Sequence, residues 1–267
     1  MESNARNDVG GASPPKPSLS AAFFDFDHTL LDGDAGVIFG WTLAEWGLAK
    51  GANLKGRERR KHIIGTTANV AATVAKGAYY RSLNAVGLLK RSKLLELTYA
   101  FFKGLPAQEM RQRMEQVWNE RLRERLYADV VRLLDEHRKA GRRIVIVTTG
   151  LRELVEHSKK TLGSDIDIIG VEMHVDDGGL WLGHVEGPLY GVQKAEAVRK
   201  WADAAGVDLA QSYAYSDHIS DAAFLALVGH PVAVNPSFRL RVLARKKGWD
   251  VINVLPPARP AHHEPAK

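Results

Sequence analysis

Cysteine is absent from the 267 residues of this chain. Its absence excludes disulfide bonds, thiolate metal sites and catalysis by a cysteine nucleophile. Long apolar runs are absent as well. No stretch approaches the roughly eighteen uninterrupted apolar residues of a membrane-spanning helix. The first twenty residues lack an apolar run of signal-peptide length, and their Gly, Ser, Pro and Asn content predicts a disordered leader over residues 1–19. We therefore expect a cytoplasmic protein.

Aspartate is absent from residues 50–125, which contain 17 Lys and Arg and 6 Glu, a local net charge of +11 in a chain of net charge +6. A basic segment attracts anionic partners. One interpretation is a peripheral contact with anionic lipid through this segment, and the other is a helical segment whose basic face is solvated. The sequence contains no recognised nucleic-acid-binding module, so we expect no nucleic-acid partner.

Short apolar runs alternate with helical patterns along much of the chain. Five runs have the composition of buried strands: 21–26, 142–148, 165–170, 212–216 and 230–234. Helical patterns lie between or after them, at about 128–140, 152–162, 192–205, 219–228 and 237–246. This alternation predicts an α/β fold with a doubly wound parallel sheet. Residues 171–187 alternate apolar and polar side chains around Asp-Asp-Gly-Gly, which predicts a small antiparallel hairpin off the sheet.

About 115 residues separate the first predicted strand from the second. A parallel crossover needs only a dozen or so residues, so most of this stretch must be an insertion. Residues 36–127 are rich in Ala, Leu, Arg and Glu and contain one Pro, which predicts an inserted helical domain. The core would then comprise residues 20–35 and 128–255, and the Pro-rich segment 256–267 predicts a disordered tail.

Two carboxylates, Asp25 and Asp27, follow an apolar run with one residue between them. On a strand, residues i and i+2 point the same way, so both would emerge at the end where open α/β sheets bind ligands. Two like charges there need a cation or a proton to offset them, and magnesium binds through one or two carboxylates plus substrate phosphate. Alone, the pair also fits a strand-end turn with solvated carboxylates. We expect Thr29 to stabilise the turn after the strand.

Three further features strengthen the functional interpretation. Asp217 follows the predicted strand 212–216, and Asp221 lies four residues later, in the first turn of the next helix. Residues 147–150, Val-Thr-Thr-Gly, end a buried strand just before a helix, where hydroxyl and backbone N–H groups hold phosphate oxygens well. Lys194 opens another predicted helix, from which a cation could reach the same edge of the sheet.

The chain resembles the haloacid dehalogenase-like phosphatases, whose motifs match in order Asp25-Phe-Asp27-His-Thr29, then Thr148, then Lys194, then Asp217 and Asp221. The resemblance spans about residues 21–250. It is closest to the phosphoserine-phosphatase-like branch, subfamily IB, in which a helical cap follows the first motif. It implies a Rossmann-like core with an inserted all-helical cap.

The resemblance also implies a magnesium-dependent phosphomonoester hydrolase that forms an aspartyl-phosphate on Asp25. Asp27 would protonate the leaving alcohol and then activate water. Asp25, the backbone carbonyl of Asp27 and Asp217 would hold Mg²⁺. Lys194 would stabilise the charge of the transferring phosphoryl group, and Asp221 would orient Lys194 or a metal-bound water.

The phosphate of a small phosphorylated substrate would lie against Thr148, Thr149 and Gly150. In the phosphoserine-phosphatase branch an acidic residue nine positions after the nucleophile holds the serine amine, and Asp34, a shorter acid, has that position here. The Arg that holds the serine carboxylate in that branch is replaced by Thr98. These departures favour another phosphomonoester, of apolar or lipid character. Phosphoserine phosphatase and a phosphotransferase with the same intermediate are the alternatives.

Overall fold

The computed structural model describes residues 19–52, 99–186 and 190–258. Residues 1–18 of the predicted leader, Thr98 and most of the predicted tail lie outside the described residues. Much of the predicted insertion, residues 53–98, lies outside them too. Within the part of the chain that is described, no helix is both long enough and apolar enough to cross a bilayer.

Seven strands of the described residues form one sheet in the order β4-β3-β2-β1-β5-β6-β7. They are β1 Ala21–Asp25, β2 Arg143–Leu151, β3 Asp167–Val175, β4 Trp181–Glu186, β5 Tyr213–Ser216, β6 His230–Val234 and β7 Asp250–Ile252. Neighbouring strands run parallel except β3 and β4, which are antiparallel. The predicted doubly wound α/β fold is therefore confirmed. The order reverses at β1, which lies between β2 and β5, and such a switch point is where these sheets bind ligands.

The helices connect these strands. They are α1 Ala35–Ala52, α2 Ala107–Val117, α3 Ala128–Lys139, α4 Arg152–Glu156, α5 Lys159–Leu162, α6 Val192–Ala205, α7 Ala222–Leu225 and α8 Phe238–Lys247. Short 3-10 turns occur at Ala100–Phe102, Arg123–Arg125, Leu209–Gln211 and Ile219–Asp221, and a π-helical turn at Trp118–Leu122. The predicted helices 152–162 and 219–228 are thus each divided into two shorter segments.

Two hydrophobic cores lie on opposite faces of the sheet, because successive side chains of β1 point in opposite directions. Phe23 packs with Val198 and Phe224 on one face. Phe24 belongs to the other core, which also contains Phe39 of α1 and Met114 of α2. The described parts of the insertion therefore share a core with the sheet. The domain boundaries at residues 36 and 127 stay a prediction.

The hairpin of β3 and β4 is part of the sheet rather than an excursion from it, which corrects the prediction. The reason is that β3 is nine residues long. Its first half pairs with β2, from Val145 opposite Asp167 onward, and its second half continues into antiparallel pairing with β4. The short strand β7 was not predicted, because its three residues are only partly buried and form no apolar run.

The hairpin also holds the insertion. The N–H of Gly104 donates to the carbonyl of Trp181 at 2.7 Å, and the N–H of Trp181 donates to the carbonyl of Leu105 at 2.9 Å. Gly183 has a φ of +66°, and a Cβ added there would lie 2.8 Å from Cβ of Lys103. Only glycine therefore allows so close an approach at this position.

The two linkers between core and insertion also pair with each other. The N–H of Asp32 donates to the carbonyl of Arg125 at 2.7 Å, and the N–H of Tyr127 donates to the carbonyl of Leu30 at 2.9 Å. The Tyr127 hydroxyl donates to Oδ1 of Asp32 at 3.2 Å. These linker contacts add to the contacts with the hairpin in attaching the described insertion to the core.

Candidate active site

Asp25 is the last residue of β1 and is 8% exposed. Its Oδ1 accepts a hydrogen bond from Nζ of Lys194 at 2.5 Å, and its Oδ2 accepts one from the hydroxyl of Thr29 at 3.2 Å. Thr29 is fully buried. The structure therefore gives Thr29 a partner beyond the turn predicted for it, the carboxylate of Asp25.

Lys194 is the third residue of α6 and is 1% exposed. Its ammonium donates a second hydrogen bond to Oδ2 of Asp221 at 2.7 Å, and the hydroxyl of Ser216 donates to the same oxygen at 2.7 Å. Burial lowers the pKa of Lys194, but the carboxylates of Asp221 and Asp25 together raise it by more, so the net shift is upward. Lys194 is thus a charged ammonium between two buried carboxylates. The structure brings Lys194 into direct contact with Asp25 and Asp221, which are both predicted site residues.

Asp27 lies two residues beyond β1 and faces the start of α1. Its Oδ1 accepts the N–H of Ala35, the first residue of that helix, at 2.7 Å. Burial and the charge of Asp34 raise the pKa of the Asp27 carboxyl well above its ordinary value. This carboxyl is therefore favoured in its protonated form.

Asp34 immediately precedes α1 and is exposed. Its Oδ1 accepts the N–H of Val37 at 2.8 Å, as the side chain of an N-cap residue does. The structure gives the carboxylate a role in capping the helix. The predicted contact of Asp34 with substrate stays a prediction.

Thr148 and Gly150 lie close to Asp27, but the strand that carries them does not end where predicted. Strand β2 continues to Leu151, with a shift of register after Val147, and α4 begins only at the next residue. The N–H of Gly150 donates to Oγ1 of Thr148 at 2.9 Å. A Cβ at Gly150 would lie 3.1 Å from that Oγ1 and 3.9 Å from Oδ2 of Asp27, so the backbone here borders the carboxyl.

Tyr99 and Ser216 belong to this site but were missed from the sequence. The hydroxyl of Tyr99, in the insertion, donates to the carbonyl of Thr149 at 2.6 Å. Nothing in the sequence relates two residues 50 positions apart. Ser216 ends β5 directly before Asp217, and a hydroxyl at the end of a strand next to the acidic motif was the available signal.

Asp217 follows β5, beside β1, and its carbonyl accepts the N–H of Ser237 at 2.8 Å. Burial and the nearby charges of Asp25 and Asp221 raise the pKa of the Asp217 carboxyl to about 7. Burial raises the pKa of Asp25 to about 6, although Lys194 opposes the shift. The ends of β1 and β5 thus carry more negative charge than one ammonium offsets.

The donor set at these strand ends fits a magnesium ion. Asp25, Asp217 and the backbone carbonyl of Asp27 would supply oxygen ligands, and a divalent cation would offset the negative charge that adds to burial in raising the pKa values of Asp25 and Asp217. No group of three or more His, Asp or Glu side chains among the described residues could enclose a metal. Magnesium does not need such a group, since it usually binds one or two carboxylates and keeps several waters.

Comparison with known proteins places these residues in a family context. The model of the haloacid dehalogenase-like hydrolase family matches residues 22–226. The chain is 31% identical to the inhibition of morphological differentiation protein of Streptomyces azureus, over 90% of this chain and 80% of the relative. It is 32% identical to phosphoserine phosphatase SerB1 of Mycobacterium tuberculosis, over 89% of this chain and 72% of the relative.

Two solved structures share the fold. A protein of unknown function from Bordetella pertussis Tohama I aligns with a TM-score of 0.65 and 24% identity, covering 88% of this chain and 98% of that one. A substrate-bound phosphoserine phosphatase complex aligns with a TM-score of 0.54 and 19% identity, covering 88% of this chain and 93% of that one. At these identities the likeness concerns the fold alone.

Replacing Asp217 by Asn tests the excess negative charge. In EDTA at pH 8, we expect Asp217→Asn to raise the free energy of unfolding by about 1–3 kcal/mol. The physical reason is that the folded-state pKa of Asp217, about 7, lies above the ordinary value of 3.8. Ionisation therefore favours the unfolded state, and the cost is complete above pH 7 and shrinks as the pH falls from 7 toward 4.

Urea denaturation at pH 8, 6 and 4.5 measures this difference. Asp203→Asn is the matched control, because Asp203 is exposed on α6, and we expect it to change the free energy of unfolding by less than about 0.5 kcal/mol. A loss of stability in Asp217→Asn at pH 8 would contradict the account.

Proposed function

Because the chain belongs to the haloacid dehalogenase-like hydrolase family, we propose that it is a magnesium-dependent phosphomonoester hydrolase with Asp25 as nucleophile. The observation that carries this proposal is the position of Asp25. It ends the central strand of the sheet, it is buried, its Oδ1 accepts a hydrogen bond from the ammonium of Lys194, and its charge raises the pKa of the Asp217 carboxyl. Lys194 opposes the rise in the Asp25 pKa that burial causes, which favours the ionised form that a nucleophile needs.

In the first step an oxygen of Asp25 attacks phosphorus. A bond forms between that oxygen and phosphorus while the bond from phosphorus to the substrate alcohol breaks. Asp27 donates its proton to the departing alkoxide, a role supported by its raised pKa. In the second step water attacks the aspartyl-phosphate, Asp27 accepts the proton of that water, and inorganic phosphate leaves with Asp25 restored as a carboxylate.

Lys194 and Thr148 would bind the phosphoryl group during both steps. The buried ammonium of Lys194 reaches Asp25 and can therefore offset charge on phosphoryl oxygens beside it. Oγ1 of Thr148 accepts a hydrogen bond from Gly150, which leaves its own hydroxyl hydrogen for a phosphate oxygen. Asp221 would act through Lys194, which it holds at 2.7 Å. When bound by Asp25, Asp217 and the carbonyl of Asp27, magnesium would offset the repulsion between nucleophile and phosphate.

The leaving group tests the role of Asp27. We expect Asp27→Asn to lower steady-state turnover by about 10²–10⁴-fold, since a positioned acid and base is lost. With p-nitrophenyl phosphate the variant should release about one equivalent of nitrophenol in a burst, because this leaving group needs no proton and only the water step is blocked. With an alkyl phosphate no burst should appear.

Rapid-quench kinetics with magnesium measures both substrates, and Asp25→Asn is the matched control, expected to give no burst with either. Equal losses on both substrates without a burst in Asp27→Asn would contradict the assignment of acid and base.

Two substrate classes are supported by different observations. The relative named phosphoserine phosphatase favours phosphoserine. The exposed Asp34, whose Oδ1 already caps α1, and the absence of an Arg at position 98 favour a phosphomonoester without an amino-acid headgroup. We propose the second class, with apolar or lipid character, and keep phosphoserine as the alternative. A phosphotransferase that passes the phosphoryl group to an alcohol would use the same intermediate, and competing alcohols in a product assay separate it from a hydrolase.

The basic segment gives this lipid proposal limited support. Several of its cations that lie among the described residues are paired, including Arg111 with Glu153 at 2.8 Å and Arg121 with Glu45 at 3.1 Å. Such exposed pairs contribute little to stability, but they reduce the net positive charge that a membrane would meet. The paired cations therefore add little to the case for a peripheral contact with anionic lipid, and the other cations of the segment include those between residues 53 and 98, outside the described residues.

Asp34→Asn separates the two substrate classes. Asparagine caps a helix as well as aspartate does, so the variant removes the charge and keeps the cap. We expect kcat/KM for an acyl-glycerol phosphate to stay within about threefold of wild type, since no ammonium is bound there, and phosphoserine to be the poorer substrate of the wild-type enzyme by about tenfold or more. The pH–rate profile should shift to lower pH at its upper limb, because the charge of Asp34 raises the pKa of Asp27.

Measurement of kcat/KM for both substrates between pH 5 and 9 decides the point. Phosphoserine as the better substrate, with a tenfold loss in Asp34→Asn, would establish amine recognition and overturn the proposal.

A further inference from the structure

The peptide unit between Thr149 and Gly150 is held at both ends. Its carbonyl oxygen accepts the hydroxyl of Tyr99 at 2.6 Å, and its N–H donates to Oγ1 of Thr148 at 2.9 Å. The described residues contain no cis peptide bond, so the C=O and N–H of this unit point in opposite directions. Two hydrogen bonds on opposite sides fix the rotation of the peptide plane about the chain.

The two bonds come from different parts of the protein. Thr148 belongs to the same strand as the peptide, whereas Tyr99 belongs to the insertion. The phenol ring is 6% exposed, and burial together with the charges of Asp27 and Asp34 raises the pKa of the hydroxyl. The hydroxyl therefore keeps its proton and remains a donor across the working pH range.

We infer that Tyr99 is a positioning residue through which the insertion orients the Thr148–Gly150 backbone for phosphate binding. This inference rests on the proposed function of Thr148 and Thr149. If the peptide rotated, Gly150 would withdraw its N–H from Oγ1 of Thr148, and the hydroxyl hydrogen of Thr148 would lose its fixed direction. The hydroxyl of Tyr99 acts through the peptide and does not touch the reacting atoms.

The location of Tyr99 is itself set by the sheet. The 3-10 turn Ala100–Phe102 follows it directly, and the next residues pair with β4 through Gly104 and Leu105. Gly183 allows this approach, because a Cβ there would lie 2.8 Å from Cβ of Lys103 and 3.2 Å from Cα of Ala100. Docking of the insertion on the hairpin is thereby coupled to the orientation of the Thr148–Gly150 backbone.

Tyr99→Phe tests the inference, because it removes the hydroxyl and keeps the ring. We expect inhibition by orthovanadate, an analogue of the transferring phosphoryl group, to weaken about tenfold, and kcat/KM to fall by a similar factor. The activation constant for magnesium should stay within about twofold of wild type, since the hydroxyl of Tyr99 donates its hydrogen bond to the carbonyl of Thr149 and not to a proposed metal ligand. If Tyr99→Phe acted only by lowering the stability of the fold, the vanadate inhibition constant and the magnesium activation constant would not respond differently.

Tyr215→Phe is the matched control. It removes a hydroxyl whose hydrogen bond to Nε2 of His137 is also 2.6 Å long and lies in the hydrophobic core. We expect its vanadate inhibition constant to stay within about twofold of wild type. Urea midpoints of both variants are measured alongside.

A second pair of variants leaves Tyr99 in place. Gly183→Ala introduces the contact with Lys103, whereas Gly179→Ala has a similar positive φ and no atom within 4 Å of the added Cβ. We expect Gly183→Ala to weaken vanadate inhibition several-fold and Gly179→Ala to leave it within about twofold. If Tyr99→Phe fails to fold, the comparison of Gly183→Ala with Gly179→Ala tests the role of the insertion in phosphate binding.

The outcomes separate the two proposals. If the wild-type enzyme neither hydrolyses phosphomonoesters nor is inhibited by vanadate, the proposed function is wrong. If the wild-type enzyme does both, and Tyr99→Phe or Gly183→Ala is folded with an unchanged vanadate constant, the proposed function stands and the role of Tyr99 is wrong.

Discussion

A buried ammonium between two buried carboxylates is the interaction on which the site depends. Nζ of Lys194 lies 2.5 Å from Oδ1 of Asp25 and 2.7 Å from Oδ2 of Asp221. Removing three charges from water is costly, and breaking such a group by deleting one member costs about 3–5 kcal/mol. The hydroxyls of Thr29 and Ser216 satisfy further lone pairs of the two carboxylates. The cluster therefore joins the ends of β1 and β5 to the start of α6.

This arrangement leaves the site short of positive charge. One ammonium cannot offset Asp25, Asp221 and Asp217, and burial together with the charges of Asp25 and Asp221 raises the pKa of Asp217 to about 7. An excess of negative charge favours a divalent cation, and it lowers the stability of the metal-free protein. Asp27 differs from its neighbours, because burial and Asp34 favour its protonated form. Neighbouring carboxyls in different environments can thus serve as nucleophile and as acid.

Much of this site could be predicted from the sequence. The residues Asp25, Thr148 and Asp217 lie at or just after the ends of apolar runs, and parallel strands bring such ends to one edge. Lys194 could be predicted because the turn before it opens a helix. The same reasoning gave the doubly wound sheet, since strands and helices alternate with clear periodicity.

The remainder depends on contacts that no local pattern encodes. The hydrogen bond from Tyr99 to Thr149 joins residues 50 positions apart and requires the insertion to dock on β4. That docking depends on Gly183, and the sequence alone does not distinguish this glycine from the others in the chain. The resemblance to the phosphoserine-phosphatase branch predicts a substrate contact for Asp34, but it does not reveal that an oxygen of Asp34 caps α1. The sequence therefore does not decide between the two substrate classes, because it does not show what the carboxylate of Asp34 contacts.

The central claim is that Asp25 carries the phosphoryl group, and trapping that intermediate tests it most directly. Enzyme mixed with magnesium and excess p-nitrophenyl phosphate is quenched in acid within milliseconds, digested and analysed by mass spectrometry. The account predicts a hydroxylamine-sensitive phosphate adduct on Asp25, more abundant in Asp27→Asn because water attack is slowed. Product release with no adduct in either enzyme, or an adduct on another residue, would contradict it.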